Sequence, residues 1–339
     1  MMRLKRLLIT GGAGFIGSNF TKYIFAKHRE IEITVLDKLT YAGNPANLKE
    51  LEGSPRYKFI RGDICDEKVV ESAARGTDCI INFAAETHVD RSIGDPASFI
   101  KTDIYGTYVL LEATRSLGIP RFVQISTDEV YGSAGDEPSS EASPLMPQSP
   151  YAASKAGADR LAYSYFVTYG TPVVITRCSN NYGPNQYPEK MVSLFVTNAM
   201  DDKPLPVYGT GKNTRDWIYV LDHAKALEQV MMTDGLEGEV FNVGSGVEIS
   251  VLEMADLILK ALGKPKSLIR MVKDRPGHVL RHAVKTDKLR SRLGWKCEID
   301  FERGLAMTVD WYVKNRQWWE PIKSGEFLEY YKRLYSEIA

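Results

Sequence analysis

The chain alternates short apolar runs with longer stretches in which apolar residues recur every three or four positions. The short runs have the length of buried strands, and the longer stretches have the spacing of helices that cover one face of a sheet. The predicted strands are 7–10, 33–37, 57–63, 79–85, 121–127 and 172–178, and the predicted helices are 14–29, 97–117 and 152–169. This alternation predicts an α/β fold, a parallel sheet with helices on both faces.

The pattern changes after about residue 180, where prolines cluster and the predicted strands shorten to 206–208, 216–220 and 240–243. We therefore expect a first domain over 1–178, to which 216–246 returns. Segments 179–215 and 247–339 are expected to form a smaller mixed α/β domain. The late helices are expected to carry the exposed aromatic residues Trp311, Tyr312, Trp318 and Trp319.

The composition argues against a nucleic-acid partner, a membrane span and a metal site. Lys and Arg together number 43, and so do Asp and Glu, so the net charge of zero gives no electrostatic footprint for a nucleic acid. A hydrophobic content of 44% excludes wholesale disorder, and no apolar run is long enough to predict a membrane span. The four cysteines and five histidines show no metal-binding spacing, so no metal is expected. We expect a soluble cytoplasmic protein.

The first candidate site is the glycine-rich stretch TGGAGFIG at 10–17. It follows a predicted strand and opens a predicted helix, which is the context of a dinucleotide-binding turn in a Rossmann-like domain. Gly11 would make the turn, Gly14 would admit the pyrophosphate and Gly17 would allow close packing. Asp37 ends the next strand, where a carboxylate accepts the adenosine ribose hydroxyls and repels a 2′-phosphate. These positions favour NAD over NADP, although Lys38 weakens the preference slightly.

The second candidate site is the pair Tyr151 and Lys155, which are one helical turn apart on one face of the predicted helix. A nearby ammonium stabilises a phenolate, so Lys155 is expected to lower the pKa of Tyr151. Such a tyrosine can take a proton from a sugar hydroxyl while a hydride leaves the same carbon.

The third candidate site is Thr127-Asp128-Glu129, directly after a predicted strand. Strand ends of this kind are where open α/β sheets place their sites. Two adjacent carboxyl groups there suit a reaction that needs both an acid and a base. A dehydratase needs such a pair, one group to remove a carbon-bound proton and one to protonate a departing hydroxyl, whereas an epimerase has no evident use for it.

Together these motifs resemble the extended short-chain dehydrogenase/reductase family, and within it the nucleotide-sugar 4,6-dehydratases, most closely the members that act on dTDP-glucose. The likeness covers about residues 4–315 and is carried by the stretches TGGAGFIGSNF, DKLTYAGN, GDICD, AAETHVDRSI, STDEVYG, SPYAASKA, SNNYGPNQYPEKM, RDWIYVLDHA, FNVGSG and DRPGH. It implies a bound NAD that is regenerated in each turnover, a nucleotide-sugar substrate and a homodimer formed through the helices near 97–117 and 152–169. The last 25 or so residues add no signal.

The resemblance also assigns residues one by one. It implies that Thr127, Asp128, Glu129, Tyr151 and Lys155 are catalytic, with Asp128 the acid at C6 and Glu129 the base at C5. It implies cofactor contacts from Gly11, Gly14, Phe15, Ile16, Gly17, Asp37, Lys38, Leu39, Thr40, Asp63, Ile64, Phe83, Ala84, Ala85, Glu86, Thr87, Thr102, Tyr151, Lys155 and Asn181. It implies substrate contacts from Thr87, His88, Thr127, Asn180, Lys190, Met191, Pro206, Val207, Tyr208, Arg215, Asn242, Asp274, Arg275, Pro276, Gly277 and His278.

Three questions stay open at this level. His88 fits a contact with a substrate hydroxyl and a structural hydrogen bond equally well. A nucleotide-sugar 4-epimerase shares the fold, the cofactor and the tyrosine–lysine pair, and a non-catalytic NAD-binding sensor shares the fold and cofactor. The nucleobase of the substrate is not fixed by the motifs alone.

Overall fold

The computed structural model describes residues 2–335. Its strands are β1 (Arg6–Thr10), β2 (Glu32–Asp37), β3 (Tyr57–Arg61), β4 (Cys79–Asn82), β5 (Phe122–Thr127), β6 (Val173–Cys178), β7 (Asn180–Tyr182), β8 (Leu205–Tyr208), β9 (Thr214–Tyr219), β10 (Val240–Val243), β11 (Glu248–Ser250), β12 (Ile269–Val272) and β13 (Arg281–His282).

Its α-helices are α1 (Phe15–Lys27), α2 (Glu67–Ala74), α3 (Val89–Gly94), α4 (Pro96–Phe99), α5 (Gly106–Ser116), α6 (Pro150–Tyr169), α7 (Met191–Met200), α8 (Val220–Met232), α9 (Val251–Leu262), α10 (Asp287–Leu293), α11 (Phe301–Lys314), α12 (Arg316–Trp319) and α13 (Gly325–Leu334). Short 3₁₀ turns cover Pro45–Leu51, Asp128–Tyr131, Lys266–Leu268 and Pro321–Lys323.

The largest sheet is parallel and has seven strands in the order β10-β6-β5-β4-β1-β2-β3. The strand order reverses at β1, which pairs with β2 on one side and with β4 on the other. Such a reversal opens a crevice at the carboxyl ends of the strands, where open α/β sheets bind ligands. The predicted Rossmann-like fold is confirmed.

Both faces of this sheet are covered because successive side chains of a strand point to opposite faces. On β1, Ile9 packs into one apolar cluster with Phe20 and Ile24 of α1. Leu8 packs into the other cluster with Val70 of α2 and Leu110 of α5. The apolar runs of the sequence are therefore strands buried on both faces.

A second core lies around the remaining strands. Strands β11, β9 and β13 form a sheet to which β7 adds through β9, and β12 pairs with β8. Helices α7, α9 and α11 pack together against these strands, with Phe195 and Ile258 in their core. The aromatic residues of the late helices belong to this core, and the prediction that they are exposed is wrong for Tyr312 and Trp319, which are fully buried. Their polar atoms are hydrogen-bonded to the carbonyl oxygens of Gln186 and Tyr312 respectively.

The predicted long helix over 97–117 is present but not uniform. A π-helical segment, Ile100–Tyr105, lies between α4 and α5. Such segments often mark functional sites in helices, and this one carries Thr102 to the edge of the crevice. Strand β4 ends three residues earlier than predicted, so Phe83, Ala84 and Ala85 lie in the loop that follows it.

The domain bounds stay a prediction. Segment 216–246 contributes β10 to the seven-stranded sheet, but it begins inside β9, which belongs to the smaller sheet. Within residues 2–335, none of the helices combines the length and the apolar character that a membrane crossing requires.

Candidate active site

A deep cleft runs along the carboxyl ends of the seven-stranded sheet and continues between the two cores. Its cavity volume is about 390 Å³, and its walls come from the ends of β1, β2, β4, β5 and β6 together with α7, β8 and β9. It brings together most of the residues that the sequence singled out. The predicted site residues that do not line it are Leu39, Val207, Asn242, Asp274, Pro276 and Gly277.

The glycine turn forms one end of the cleft and fits a dinucleotide. Gly11 has a φ of +66°, and a Cβ there would lie 2.5 Å from the backbone nitrogen of Ala84. A Cβ on Gly17 would lie 2.4 Å from the carbonyl oxygen of Gly11, so only glycine allows this packing. Gly14 precedes α1 without a side-chain cap, which leaves amide hydrogens at the helix start free for a pyrophosphate.

Asp37 lies at the end of β2 and faces the same end of the cleft. One carboxylate oxygen accepts the amide hydrogen of Ala13 at 2.9 Å, and the other accepts that of Leu39 at 2.8 Å. Burial raises the pKa of Asp37. Lys38 is held 2.7 Å from Asp63, so its ammonium is already neutralised by a carboxylate. Leu39 itself packs its side chain against the first core, which explains why it does not reach the cleft.

The tyrosine–lysine pair lies on the first turns of α6, which Ser149 caps by accepting the amide hydrogen of Ala152. The Lys155 ammonium donates to the carbonyl oxygen of Ile125 at 2.7 Å. The pKa of Tyr151 is raised well above its usual value, first by burial and then by the nearby carboxyl group of Glu129. The lysine is directed at strand β5 and the phenol faces acidic groups, so the lowering of this pKa by Lys155 stays a prediction.

Thr127, Asp128 and Glu129 line the cleft at the end of β5. The Thr127 hydroxyl accepts the amide hydrogen of Glu129 at 3.3 Å and donates to Asp128 Oδ1 at 3.2 Å. Asp128 is 3% exposed, and its Oδ2 has no hydrogen-bond partner among residues 2–335. Burial raises the pKa of Asp128 to about 7, so a large fraction of it is protonated near neutral pH.

Two arginines face the cleft at its other end. Arg215 is 8% exposed and donates to the carbonyl oxygens of Thr214 and Val279. In the described part of the chain no carboxylate forms an ion pair with Arg215. Burial lowers the pKa of Arg215 to about 10, so the guanidinium still carries its charge at neutral pH. Arg275 lies 3.4 Å from both carboxylate oxygens of Asp90, and its buried Nε has no partner in the described residues. Arg215, a buried guanidinium without a carboxylate, suits an anionic ligand such as a diphosphate, and Arg275 supplies a second guanidinium that Asp90 neutralises in part.

Lys190 and His278 complete the polar wall near these arginines. The Lys190 ammonium donates to the Thr87 hydroxyl at 2.9 Å, and burial lowers the pKa of this lysine. His278 Nδ1 lies 2.6 Å from Asp274 Oδ1, and burial lowers the pKa of His278 to about 4. Asp274 thus orients His278 without lining the cleft itself.

His88 lies in the cleft and also holds a hydrogen bond within the protein. Its ring lines the cleft, and its Nδ1 lies 3.3 Å from the hydroxyl of Tyr330 in α13. Its φ of +82° is unusual for a residue with a side chain, and burial lowers its pKa well below the ordinary value. The ring is therefore neutral and already holds one structural hydrogen bond.

Some predicted substrate contacts do not line the cleft. Asn242 is fully buried in β10, where its amide bonds the Tyr131 hydroxyl and the carbonyl oxygens of Ser139 and Lys285. Val207 points into the second core. Pro276 does not line the cleft, and Gly277 lines a smaller neighbouring cavity.

Several residues at the site were not predicted from the sequence. Arg91 is bonded to Glu189 and lies between the rings of Tyr41 and Tyr330, 3.6 and 4.3 Å from their centroids. Tyr335, just after α13, also lines the cleft. Asp103 in the π-helical segment is 1% exposed, accepts hydrogen bonds from the Ser154 hydroxyl and the Glu86 amide, and has its pKa raised to about 7 by burial. Of these residues, only Asp103 could have been suspected from the sequence, because it is next to Thr102, a predicted cofactor contact.

Comparison with known proteins agrees with this geometry. A family model described as GDP-mannose 4,6 dehydratase matches residues 8–308. The chain is 50% identical over 325 residues to a dTDP-glucose 4,6-dehydratase of Streptomyces niveus, covering 95% of this chain and 96% of that one.

Solved structures show the same fold. The dTDP-glucose 4,6-dehydratase DesIV of Streptomyces venezuelae, solved with NAD bound, superposes with a TM-score of 0.92 at 48% identity, covering 94% of this chain and 100% of that one. A UDP-glucose 4-epimerase of Thermus thermophilus, in complex with NAD, has a TM-score of 0.84 at 32% identity, covering 91% and 99%. Because the family match and the dehydratase likeness both span nearly the whole chain, the chain belongs to the nucleotide-sugar 4,6-dehydratase family.

Proposed function

We propose that this chain is an NAD-dependent lyase that converts dTDP-glucose into dTDP-4-keto-6-deoxyglucose and water. The observation that carries the proposal is that the acid–base pair Asp128–Glu129 lies in the same cleft as Tyr151, Lys155 and the glycine turn. A 4,6-dehydratase requires an acid and a base for proton transfer beside a site for hydride transfer.

One end of the cleft suits the cofactor, and the other end suits the sugar nucleotide. The glycine turn and Asp37 suit NAD, since amide hydrogens face a pyrophosphate there and a carboxylate faces ribose hydroxyls. Arg215 and Arg275 suit the diphosphate of the sugar nucleotide. Met191, Pro206 and Tyr208 line the cleft beyond them and supply apolar surface for the nucleobase. The relatives named dTDP-glucose 4,6-dehydratases support thymine as that base.

The residues of the chain then act in order. Thr127 helps to hold the sugar 4-hydroxyl, and Tyr151 takes the proton of this hydroxyl. Bound NAD supplies the acceptor for the C4 hydride and later its donor at C6. The resulting 4-ketone acidifies the C5 hydrogen, Glu129 removes it and Asp128 protonates the departing 6-hydroxyl. Asp128 is suited to this step because burial keeps its pKa at about 7.

The alternatives fit the site less well. A 4-epimerase uses the tyrosine, the lysine and the cofactor but leaves Asp128 and Glu129 without a task, and the 4-epimerase structures that resemble the chain do so at lower identity than the dehydratases. A non-catalytic NAD sensor leaves the whole polar half of the cleft unexplained.

We also propose that two copies associate and act in the cytoplasm, in deoxysugar biosynthesis of the rhamnose type. The π-helical segment and α6 pack side by side and leave Ile100, Tyr105, Val167 and Tyr169 exposed, which supports a helix-to-helix dimer contact.

All four cysteines are free thiols, which suits a reducing compartment. A 4-keto-6-deoxy sugar is the intermediate that such a route requires.

One experiment tests the reaction. The purified protein is given dTDP-glucose that carries deuterium at C4, and the product is analysed by mass spectrometry and NMR. We expect loss of one water, deuterium at C6 of the same molecule and a solvent-derived proton at C5. A 4-epimer as the main product, or loss of the C4 deuterium to water, would contradict the dehydratase proposal. UDP- and CDP-glucose in parallel reactions test the nucleobase.

A further inference from the structure

In the proposed reaction two residues end a turnover in a different protonation state from the one in which they began it. The following inference rests on that proposed function. In one turnover Tyr151 gains the O4 proton, Glu129 takes a proton from C5 and returns one to it, and Asp128 gives a proton to the departing O6. The hydride leaves C4 and returns to C6, so the electrons balance. Tyr151 therefore ends with one proton too many and Asp128 with one too few.

Asp128 cannot easily regain its proton from bulk water. Its side chain is 3% exposed, and within residues 2–335 the one hydrogen bond that it accepts from a side chain comes from the Thr127 hydroxyl. A carboxylate left at this depth is costly, because burial favours its protonated form. A neighbouring group that delivers a proton would therefore shorten the time between turnovers.

His282 is placed to deliver it. Its Nδ1 lies 3.7 Å from Asp128 Oδ1, the side chain of each residue is 3% exposed, and Nδ1 has no hydrogen-bond partner within residues 2–335. The short strand β13 positions the backbone of His282, because His282 is paired with Arg215 of β9. The gap exceeds a hydrogen bond by a few tenths of an ångström, and such contacts are often long in the absence of substrate.

A second, smaller cavity is lined by His282 but not by Asp128. It has a volume of about 60 Å³ and is lined by polar groups of Glu129, Gln148, Ser149, Arg215, Arg275 and His282. A polar cavity of this size has room for ordered water. His282 thus lies 3.7 Å from Asp128 and also lines a polar cavity that can take up water.

We propose that His282 reprotonates Asp128 between turnovers, relaying a proton from water in this second cavity. A neutral imidazole suits the task, since one ring nitrogen gives its proton to the carboxylate while the other takes a proton from water. Burial and the nearby Arg215 hold the pKa of His282 at about 3, so the ring stays neutral. The cavity water that gives its proton is left as hydroxide, and the proton that Tyr151 releases to solvent neutralises it, which closes the balance. Exchange with cavity water restores the tautomer.

The test separates the first turnover from the later ones. The holoenzyme is equilibrated below the pKa of Asp128, so that this acid starts protonated, and is mixed rapidly with excess dTDP-glucose. We compare wild type with His282→Asn, which keeps a polar group without the relay, and His282→Ala. Arg281→Ala is the matched control, because Arg281 is the neighbouring residue on β13 and pairs with Glu248 outside the cleft. Thermal melting and bound NAD verify that each variant is folded.

We expect both His282 variants to complete a first turnover within about threefold of the wild-type rate and then to slow by roughly tenfold or more. Millimolar imidazole should restore the later turnovers of His282→Ala, and Arg281→Ala should behave like wild type. Steady turnover of the variants within about twofold of wild type, or a first turnover slowed as much as the later ones, would overturn the relay. Failure of the wild type itself to dehydrate the substrate would overturn the proposed function instead, and the relay with it.

Discussion

The Lys155 ammonium donates its hydrogen bond to the carbonyl oxygen of Ile125, 2.7 Å away, and this bond ties helix α6 to strand β5. The same two elements carry Tyr151 and the Thr127–Glu129 turn. Lys155 therefore fixes the distance between the group that starts the proposed reaction and the groups that complete it, in addition to any contact it makes with a cofactor.

Tyr151→Phe should abolish the first chemical step. The variant keeps the ring but has no group to take the O4 proton, so no absorbance of reduced nicotinamide should appear when substrate is added. Tyr163→Phe, on the exposed side of the same helix, is the control and should keep the signal. Normal nicotinamide reduction by Tyr151→Phe would remove Tyr151 from the mechanism.

Glu129→Gln should separate oxidation from elimination. The amide keeps the shape of the side chain but cannot accept the C5 proton, so bound nicotinamide should be reduced and water loss should then slow by roughly 10²–10⁴-fold. Rapid-quench mass spectrometry measures the two species. Glu137→Gln serves as control, since Glu137 is an exposed residue that pairs with Lys285. Dehydration at the wild-type rate by Glu129→Gln would leave the reaction standing but assign its base elsewhere.

The elimination step should lose rate as pH rises above about 7. Asp128 acts in its protonated form, and burial raises its pKa to about 7, so the active fraction falls with each further unit of pH. The first step should respond in the opposite direction, because the pKa of Tyr151 is raised and a higher pH favours the phenolate. Stopped-flow and quench measurements across pH 5 to 9 test this. Asp128→Asn should remove the fall of the elimination rate on the alkaline side, and a fall that persists would mean that another acid is responsible.

Arg215→Ala should raise KM for the sugar nucleotide without changing the affinity for NAD. Loss of a charge-assisted contact costs about 1.5–3 kcal/mol, which corresponds to roughly 10- to 150-fold in binding. Steady-state kinetics and NAD titration measure the two effects. Arg281→Ala, at an arginine whose partner is Glu248, should change neither. An unchanged KM in Arg215→Ala would place the diphosphate elsewhere.

The NAD-free protein should bind NAD more tightly than NADP. The Asp37 carboxylate is held by the amide hydrogens of Ala13 and Leu39 at the ribose end of the cleft, and it would repel a 2′-phosphate. Lys38 offers little compensation because Asp63 already pairs with it. Calorimetric titration with both cofactors measures the ratio, and Asp37→Asn should narrow it. Tighter binding of NADP by the wild type would refute this role of Asp37.

The sequence allowed prediction of those parts of the site that local spacing defines. The glycine turn, Asp37 and the tyrosine–lysine pair each depend on residues that are close along the chain or that end a strand, so period and spacing were sufficient. Asn242 was misplaced because likeness to a motif does not say whether a side chain points into a sheet or a cleft, and here it bonds within the protein.

Residues that reach the site by long-range pairing had no such signal. His282 comes opposite Asp128 only because the two-residue strand β13 pairs with β9. Tyr312 and Trp319 are buried because α11 and α12 pack on the second core, and an aromatic helix face does not reveal its partner. The carboxyl groups that raise the pKa of Tyr151 belong to other elements, so they had no local signal in the sequence either.

Arg91, held between Tyr41 of the cofactor end and Tyr330 of α13, has a consequence for the order in which the protein is made. Chains emerge from the ribosome amino end first, and their early parts fold before the late parts exist. The glycine turn, the acid pair and six of the seven strands of the large sheet are complete by residue 178, whereas Tyr335, which lines the cleft, follows α13 and is synthesised much later. A nascent chain therefore acquires the means to hold its cofactor long before it can enclose a substrate.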